Sequence, residues 1–184
     1  MSITTKRGDL GETRLNYNRP VRKSHSRVAA YGTVDELNSA LGMARCQCDD
    51  TEIKSVISSV QDQLVTLMGE LATESTDRKR YLQDGFTVVD EAFVAVIDDL
   101  VADLESRGLS FKGWAKPGDH PLSSILDMAR CVCRRAECQV CCLLDNNFET
   151  NTNIQRYLNR LSDALWLLAR WIEAQTKQQS PGKR

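Results

Sequence analysis

The stretch DTEIKSVISSVQDQLVTLMGEL, residues 50–71, decides the fold class. Asp50 or Thr51 can cap a helix there, and Ile53, Val56, Ile57, Val60, Leu64, Leu67, Met68 and Leu71 recur at the three- and four-residue steps that line one helix face. Upstream, Val28, Val34, Leu37, Leu41 and Ala44 predict a helix over Arg27–Gln47, weakened locally by Gly32 and Gly42. Downstream, the charged segment Ser75–Gly85 breaks the period. Thr87 with Asp90 resembles a capping pair, opening a helix whose inward residues are Val89, Phe93, Val96, Ile97, Leu100 and Leu104.

Gly108–His120 holds three glycines and Pro117 and reads as a loop, while Pro121 suits the first turn of a fourth helix. That helix runs to about Leu144 with Ile125, Ala129, Val132, Ala136, Val140 and Leu143 inward. After Asn146-Asn147 a fifth carries Ile154, Leu158, Leu161, Leu165, Leu168 and Ile172 to about Lys177. No segment alternates convincingly as a strand, and no internal repeat is visible. The expectation is an all-α, up-down five-helix bundle with helices of roughly 20 to 28 residues. It forms one domain over 1–184: an N-terminal arm at 1–26, the bundle at 27–177 and a frayed polar tail at 178–184.

Composition narrows the function. The chain has 184 residues with 24 Lys+Arg against 25 Asp+Glu, a net charge of −1, so it lacks the general basic surface of a nucleic-acid binder. No run reaches the roughly 18 to 20 apolar residues that span a bilayer, and Met1–Gly11 lacks the apolar centre of a signal peptide. The expected compartment is the cytoplasm, where the seven cysteines stay reduced. Cys138, Cys141 and Cys142 have the i, i+3, i+4 spacing of a thiolate cluster, but the nearest histidine in sequence, His120, lies far upstream and no fourth ligand is evident. Buried free cysteines acting as small hydrophobes are the competing reading.

Arg130, Arg134 and Glu137 fall on one face of the fourth helix, with Arg135 offset by about 100°. Arg156, Asn159, Arg160 and Asp163 follow on the fifth. Spacing alone leaves these open between a ligand site and a solvated surface. At the head, TKRGDLGET, Thr5–Thr13, combines two glycines, a lysine and hydroxyls, the materials of a phosphate cradle. It lacks the GxxxxGK[ST] pattern, and a mobile surface arm is the alternative. Lys23 and Arg27 extend the positive surface toward the first helix.

Four blocks together resemble the PduO-type ATP:cob(I)alamin adenosyltransferases: TKRGDLGET; RVAAYGTVDELNSALGMA, Arg27–Ala44; ARCVCRRAE, Ala129–Glu137; and YLNRLSDALWLLAR, Tyr157–Arg170. They run in family order from near the N-terminus to the last helix. The resemblance implies a ferritin-like bundle with an extra helix, assembled as a homotrimer with ATP between subunits. It implies a transfer in which Co(I) of cobalamin attacks the ribose C5′ of ATP and triphosphate departs. Thr5, Lys6, Arg7, Gly8, Asp9, Gly11, Thr13 and Lys23 would hold the triphosphate with Mg2+. Arg134, Arg135, Glu137 and Asn159 would complete the ATP site. Arg130, Arg134, Glu137 and Asp35 would be the catalytic set, with Asp35 pairing Arg130 across the interface. A reductase and an adenosylcobalamin-dependent enzyme are the implied partners, with no nucleic acid and no membrane.

The chain departs from the family pattern at several places. Trp114, in WAKPGD, stands where the family usually has a Phe that packs beneath the corrin, and Lys116 and Asp119 replace a Leu and a Gly. Asp127 replaces a His, Arg7 a Thr, and Cys138 an Arg; the Gly-x-Arg-Val-x-Lys pattern is only partly kept around Asn18–Lys23. The alternative is therefore a diverged trimer that binds ATP or a corrinoid as carrier, sensor or regulatory subunit. A structural or metal-binding bundle built on the thiol cluster is a third reading.

Overall fold

The structure is a computed structural model describing residues 4, 6, 8–109, 114–146, 148 and 150–179. The expected five long helices are present as α1 (Ser26–Gln47), α2 (Thr51–Leu71), α4 (Glu91–Ser106), α5 (Pro121–Asp145) and α6 (Thr152–Gln179). A short α3 (Arg78–Gln83) lies inside the charged segment that broke the sequence period. A two-stranded antiparallel hairpin, β1 (Glu12–Leu15) and β2 (Arg19–Arg22), also corrects the strand-free expectation, with Thr13 opposite Val21. Four-residue strands are too short to show alternation, and their Asn16–Asn18 turn places Tyr17 and Asn18 at φ 57° and 64° without a glycine to announce it.

Asp50 caps α2, its Oδ1 accepting from the amides of Glu52 and Ile53 at 2.8 and 3.1 Å. The predicted Thr87 start gives way to an Asp90 cap, whose carboxylate accepts from the Phe93 amide at 3.1 Å. α4 is therefore 16 residues long, shorter than expected, and Val89 is buried in the chain before it. Its inward stripe is also rotated: Val94 and Ile97 are buried, whereas Val96 is exposed. His120 caps α5 and Pro121 occupies its first turn.

α5 packs against α1 and α6; α6 also packs against α4, and α1 against α2. The shared core includes Leu37, Leu41, Leu64, Leu67, Ile97, Leu126, Leu143 and Leu161. Ala129, Ala136 and Val140 turn the small side of α5 into this core. On the opposite side of α5 Arg134 and Arg135 are exposed beside Met128, Cys131 and Cys138, and this is what positions the candidate site.

Candidate functional site

The α5 face carries Arg130, Arg134 and Glu137 as their spacing predicts, with Arg134 exposed and the other two partly buried. Among the described residues, Arg134 has no hydrogen bond or ion pair. Glu137 is met from α6 by Asn159, whose Nδ2 donates to Glu137 Oε1 at 3.1 Å. The other end of that amide is fixed too: Arg160 Nη1 donates to Asn159 Oδ1 at 2.9 Å, and Arg160 Nε donates to Asp98 of α4 at 3.0 Å. A chain of polar contacts thus crosses three helices and orients Asn159 toward Glu137. On the α1 side, Arg135 forms an ion pair with Glu36.

Asp35 and Arg130 are not joined within this chain. Asp35 is exposed on α1, whereas Arg130 Nε lies 3.7 Å from Asp127 Oδ1. Asp127 is itself buried, and its Oδ2 accepts from Arg170 Nη2. This inner pair was not singled out as a site in the sequence. The available signals were an acid three residues before Arg130 and an arginine, Arg170, within the apolar run of α6.

The N-terminal loop folds on itself. The Asp9 amide donates to Lys6 O at 3.3 Å and the Gly11 amide to Gly8 O at 3.2 Å, with Gly11 at φ 78°. The Lys23 amide donates to Gly11 O at 2.9 Å. A Cβ placed on Gly8 would stand 2.9 Å from Lys23 Nζ, so the missing side chain at Gly8 lets the ammonium group close onto the loop. Thr5 and Arg7 lie outside the described residues.

The hairpin roots this loop. Leu15 is buried; the Asn16 amide donates to Ala72 O at 2.8 Å, and Asn16 Nδ2 reaches Gly69 O and Thr73 Oγ1 at 3.1 and 3.0 Å. Arg19 donates to both oxygens of Asp77 at 2.7 and 2.8 Å, and these bonds hold the Asp77 carboxyl below the usual carboxylate range. The hydrogen bonds and ion pairs of Gly8–Arg22 run within the arm and to residues 69–84. Arg27 corrects an expectation: it lies buried instead of extending the positive surface. Its guanidinium donates to Leu71 O at 3.3 Å and Phe148 O at 2.6 Å, and burial pushes its pKa down.

Trp114, before α5, is fully exposed. Beside the Asn159 turn, an open groove of about 440 Å³ runs between α4 and α6, lined by Val101, Glu105, Leu109, Asp163, Trp166 and Leu167. All seven cysteines are free, with Cys138 and Cys142 exposed. Among the described residues no three His, Cys, Asp or Glu side chains converge as a metal site. Among the described residues no helix is long and apolar enough to cross a membrane. The arrangement is an outward cationic face suited to an extended anion, next to a half-apolar groove.

Comparisons with known proteins agree on one family. The profile described as "Cobalamin adenosyltransferase" matches residues 3–172. The corrinoid adenosyltransferase PduO of Salmonella typhimurium is 36% identical over 183 residues, covering 97% of this chain and 52% of that protein. The corrinoid adenosyltransferase of Bacillus subtilis is 32% identical, covering 96% of this chain and 89% of its own length. The chain thus spans about half the length of the two PduO relatives, from Salmonella typhimurium and Citrobacter freundii, and most of the Bacillus protein. Among solved structures, a variant PduO-type ATP:corrinoid adenosyltransferase from Lactobacillus reuteri, complexed with cobalamin and ATP, superposes with a TM-score of 0.86 at 30% identity. That match covers 98% of this chain and 97% of the other.

Proposed function

The chain belongs to the cobalamin adenosyltransferase family, and from that premise we propose that it transfers the 5′-deoxyadenosyl group of ATP to Co(I) of cobalamin. The cobalt–C5′ bond forms as the C5′–oxygen bond breaks, and triphosphate leaves with the bonding pair while the cobalt is oxidised from Co(I) to Co(III). The observation that carries this reading is the Glu137–Asn159 pair, oriented by Arg160 and flanked by Arg130 and Arg134 on one outward face.

No protein nucleophile is needed, so the residues act by charge and by position. Arg134, exposed and unpaired among the described residues, is placed to receive the charge that gathers on the departing triphosphate; a preorganised donor of this kind contributes about 3 to 4 kcal/mol. Lys6, Asp9, Gly8, Gly11, Thr13 and Lys23 form the arm that folds over the phosphates, with Thr5 and Arg7 completing its sequence. Glu137 and Asn159 hold the nucleoside end, and Arg135, tied to Glu36, borders it. Mg2+ would enter with the triphosphate, as part of the substrate.

The homotrimer is part of the same proposal. In one chain the arginine face is open and Asp35 is exposed without reaching Arg130, so a neighbouring subunit would close the site and supply the Asp35–Arg130 pair. Trp114 would pack against the corrinoid, with the half-apolar groove beside Trp166 as a flanking wall. The unit organisation follows: residues 1–26 as nucleotide arm, 27–177 as bundle, 178–184 as tail. Seven free thiols suit a reducing cytoplasm, and a reductase supplying Co(I) and an enzyme using adenosylcobalamin are the partners this chemistry requires.

Anaerobic mixing with ATP, Mg2+ and cob(I)alamin tests the proposal, with adenosylcobalamin detected by its visible spectrum. Nucleotide binding without product would support the second reading, a carrier or regulatory trimer, which Trp114 and the Lys116/Asp119 loop favour.

A further inference from the structure

We propose that Asp127 is a positioning residue that holds Arg130 in the site face from within its own subunit, an inference resting on the proposed adenosyl transfer. Asp127 is 4% exposed, which makes an unpaired carboxylate there costly. Its Oδ2 is engaged by Arg170 Nη2 at 2.5 Å, and its Oδ1 stands 3.7 Å from Arg130 Nε.

Arg170 is braced in turn. The same Nη2 donates to Glu173 Oε1 at 3.0 Å, and that oxygen also accepts from Ser123 Oγ at 2.7 Å. Two cations and two carboxylates therefore share the α5–α6 seam. Because Arg170 pins Asp127, the carboxylate cannot follow Arg130 outward; it holds the Nε edge of Arg130 by charge, without a hydrogen bond, and that buried Nε has no hydrogen-bond partner. Arg130 Nη2 meanwhile reaches Sγ of the exposed Cys131 at 3.6 Å, on the outer side of the helix. The guanidinium is thus tethered at its inner edge and leaves Nη1 for ligand or neighbour. A neutral side chain at 127, such as the histidine of the resembled pattern, would leave Arg130 without this charged anchor and Arg170 with Glu173 alone.

The experiment is a double-substitution cycle on the full chain: wild type, Asp127→Asn, Arg130→Ala and the double variant, assayed anaerobically for kcat and for KM of ATP and corrinoid. Asp127→Asn should lower kcat/KM for ATP by about ten- to a hundredfold. It should leave the corrinoid KM unchanged and add less than about twofold in the Arg130→Ala background. Asp127→Glu, which keeps the charge, should recover most of the loss and serves as the probe if the Asn variant does not fold. In parallel, 15N relaxation of the Arg130 Nε–Hε group should report an ordered side chain in wild type and a mobile one in Asp127→Asn. Unchanged Arg130 order, or losses that multiply in the double variant, overturn the positioning role. A wild type that makes no product while Arg130 loses its order in Asp127→Asn refutes the adenosyl-transfer reading and leaves the tether standing.

Discussion

Arg19 of the hairpin donates two hydrogen bonds to Asp77, at 2.7 and 2.8 Å, and so ties the base of the N-terminal arm to the segment following α2. Since Asp77 titrates below its ordinary range in the folded chain, the stabilisation is fully present above the unfolded carboxylate pKa of about 4 and is lost as pH falls through the lower folded value. Amide exchange over residues 12–22 should therefore be slower in wild type than in Asp77→Asn at neutral pH, and the two should converge on acidification below about pH 4.

Gly8→Ala should fold normally, because the atom met by the new methyl group is the movable end of Lys23. Displacing that ammonium from the loop should raise the KM for ATP by roughly three- to tenfold with little change in kcat for saturating nucleotide. Steady-state kinetics at varied ATP check it, and an unchanged KM would remove Lys23 from the phosphate site.

Arg134→Ala should cut kcat by about a hundredfold or more while changing folding stability by less than about 0.5 kcal/mol. The side chain is exposed and makes no hydrogen bond or ion pair among the described residues. Parallel turnover and denaturant-unfolding measurements check both halves; full activity would show the assigned face to be wrong.

Trp114→Ala should also leave stability within about 0.5 kcal/mol, since the ring is fully exposed. Its effect should fall on the corrinoid: a raised corrinoid KM with unchanged ATP affinity by calorimetry. A change confined to ATP would move Trp114 to the nucleotide side.

Much of the bundle was legible because apolar spacing is a strong one-dimensional signal. The stripes Ile53–Leu71 and Ile154–Ile172 survive with only Val56 and Met68 partly exposed. α4 read less well: Val89 and Val96 fit a helical period that the Asp90 cap then shifted by starting the helix later. α3 was hidden because its stability is tertiary. Arg78 pairs with the buried Glu70 at 2.9 Å, and Tyr81 is buried and stacked on Phe86. In the site, spacing put Arg130, Arg134 and Glu137 together, but the meeting of Glu137 with Asn159 depends on how α5 and α6 cross, which no local pattern encodes. The inward turn of Arg27 was equally unreadable, since its acceptors come from distant parts of the chain.

Those acceptors give Arg27 a role in timing. It stands at the root of the arm, yet the carbonyls that receive its guanidinium belong to the last residue of α2 and to the connection between α5 and α6. Until both have arrived, a cation at the entrance to α1 must stay in water, and the root cannot settle. A half-synthesised chain would thus carry a loose arm root, and an ordered arm would mark a polypeptide whose distant helices have come together.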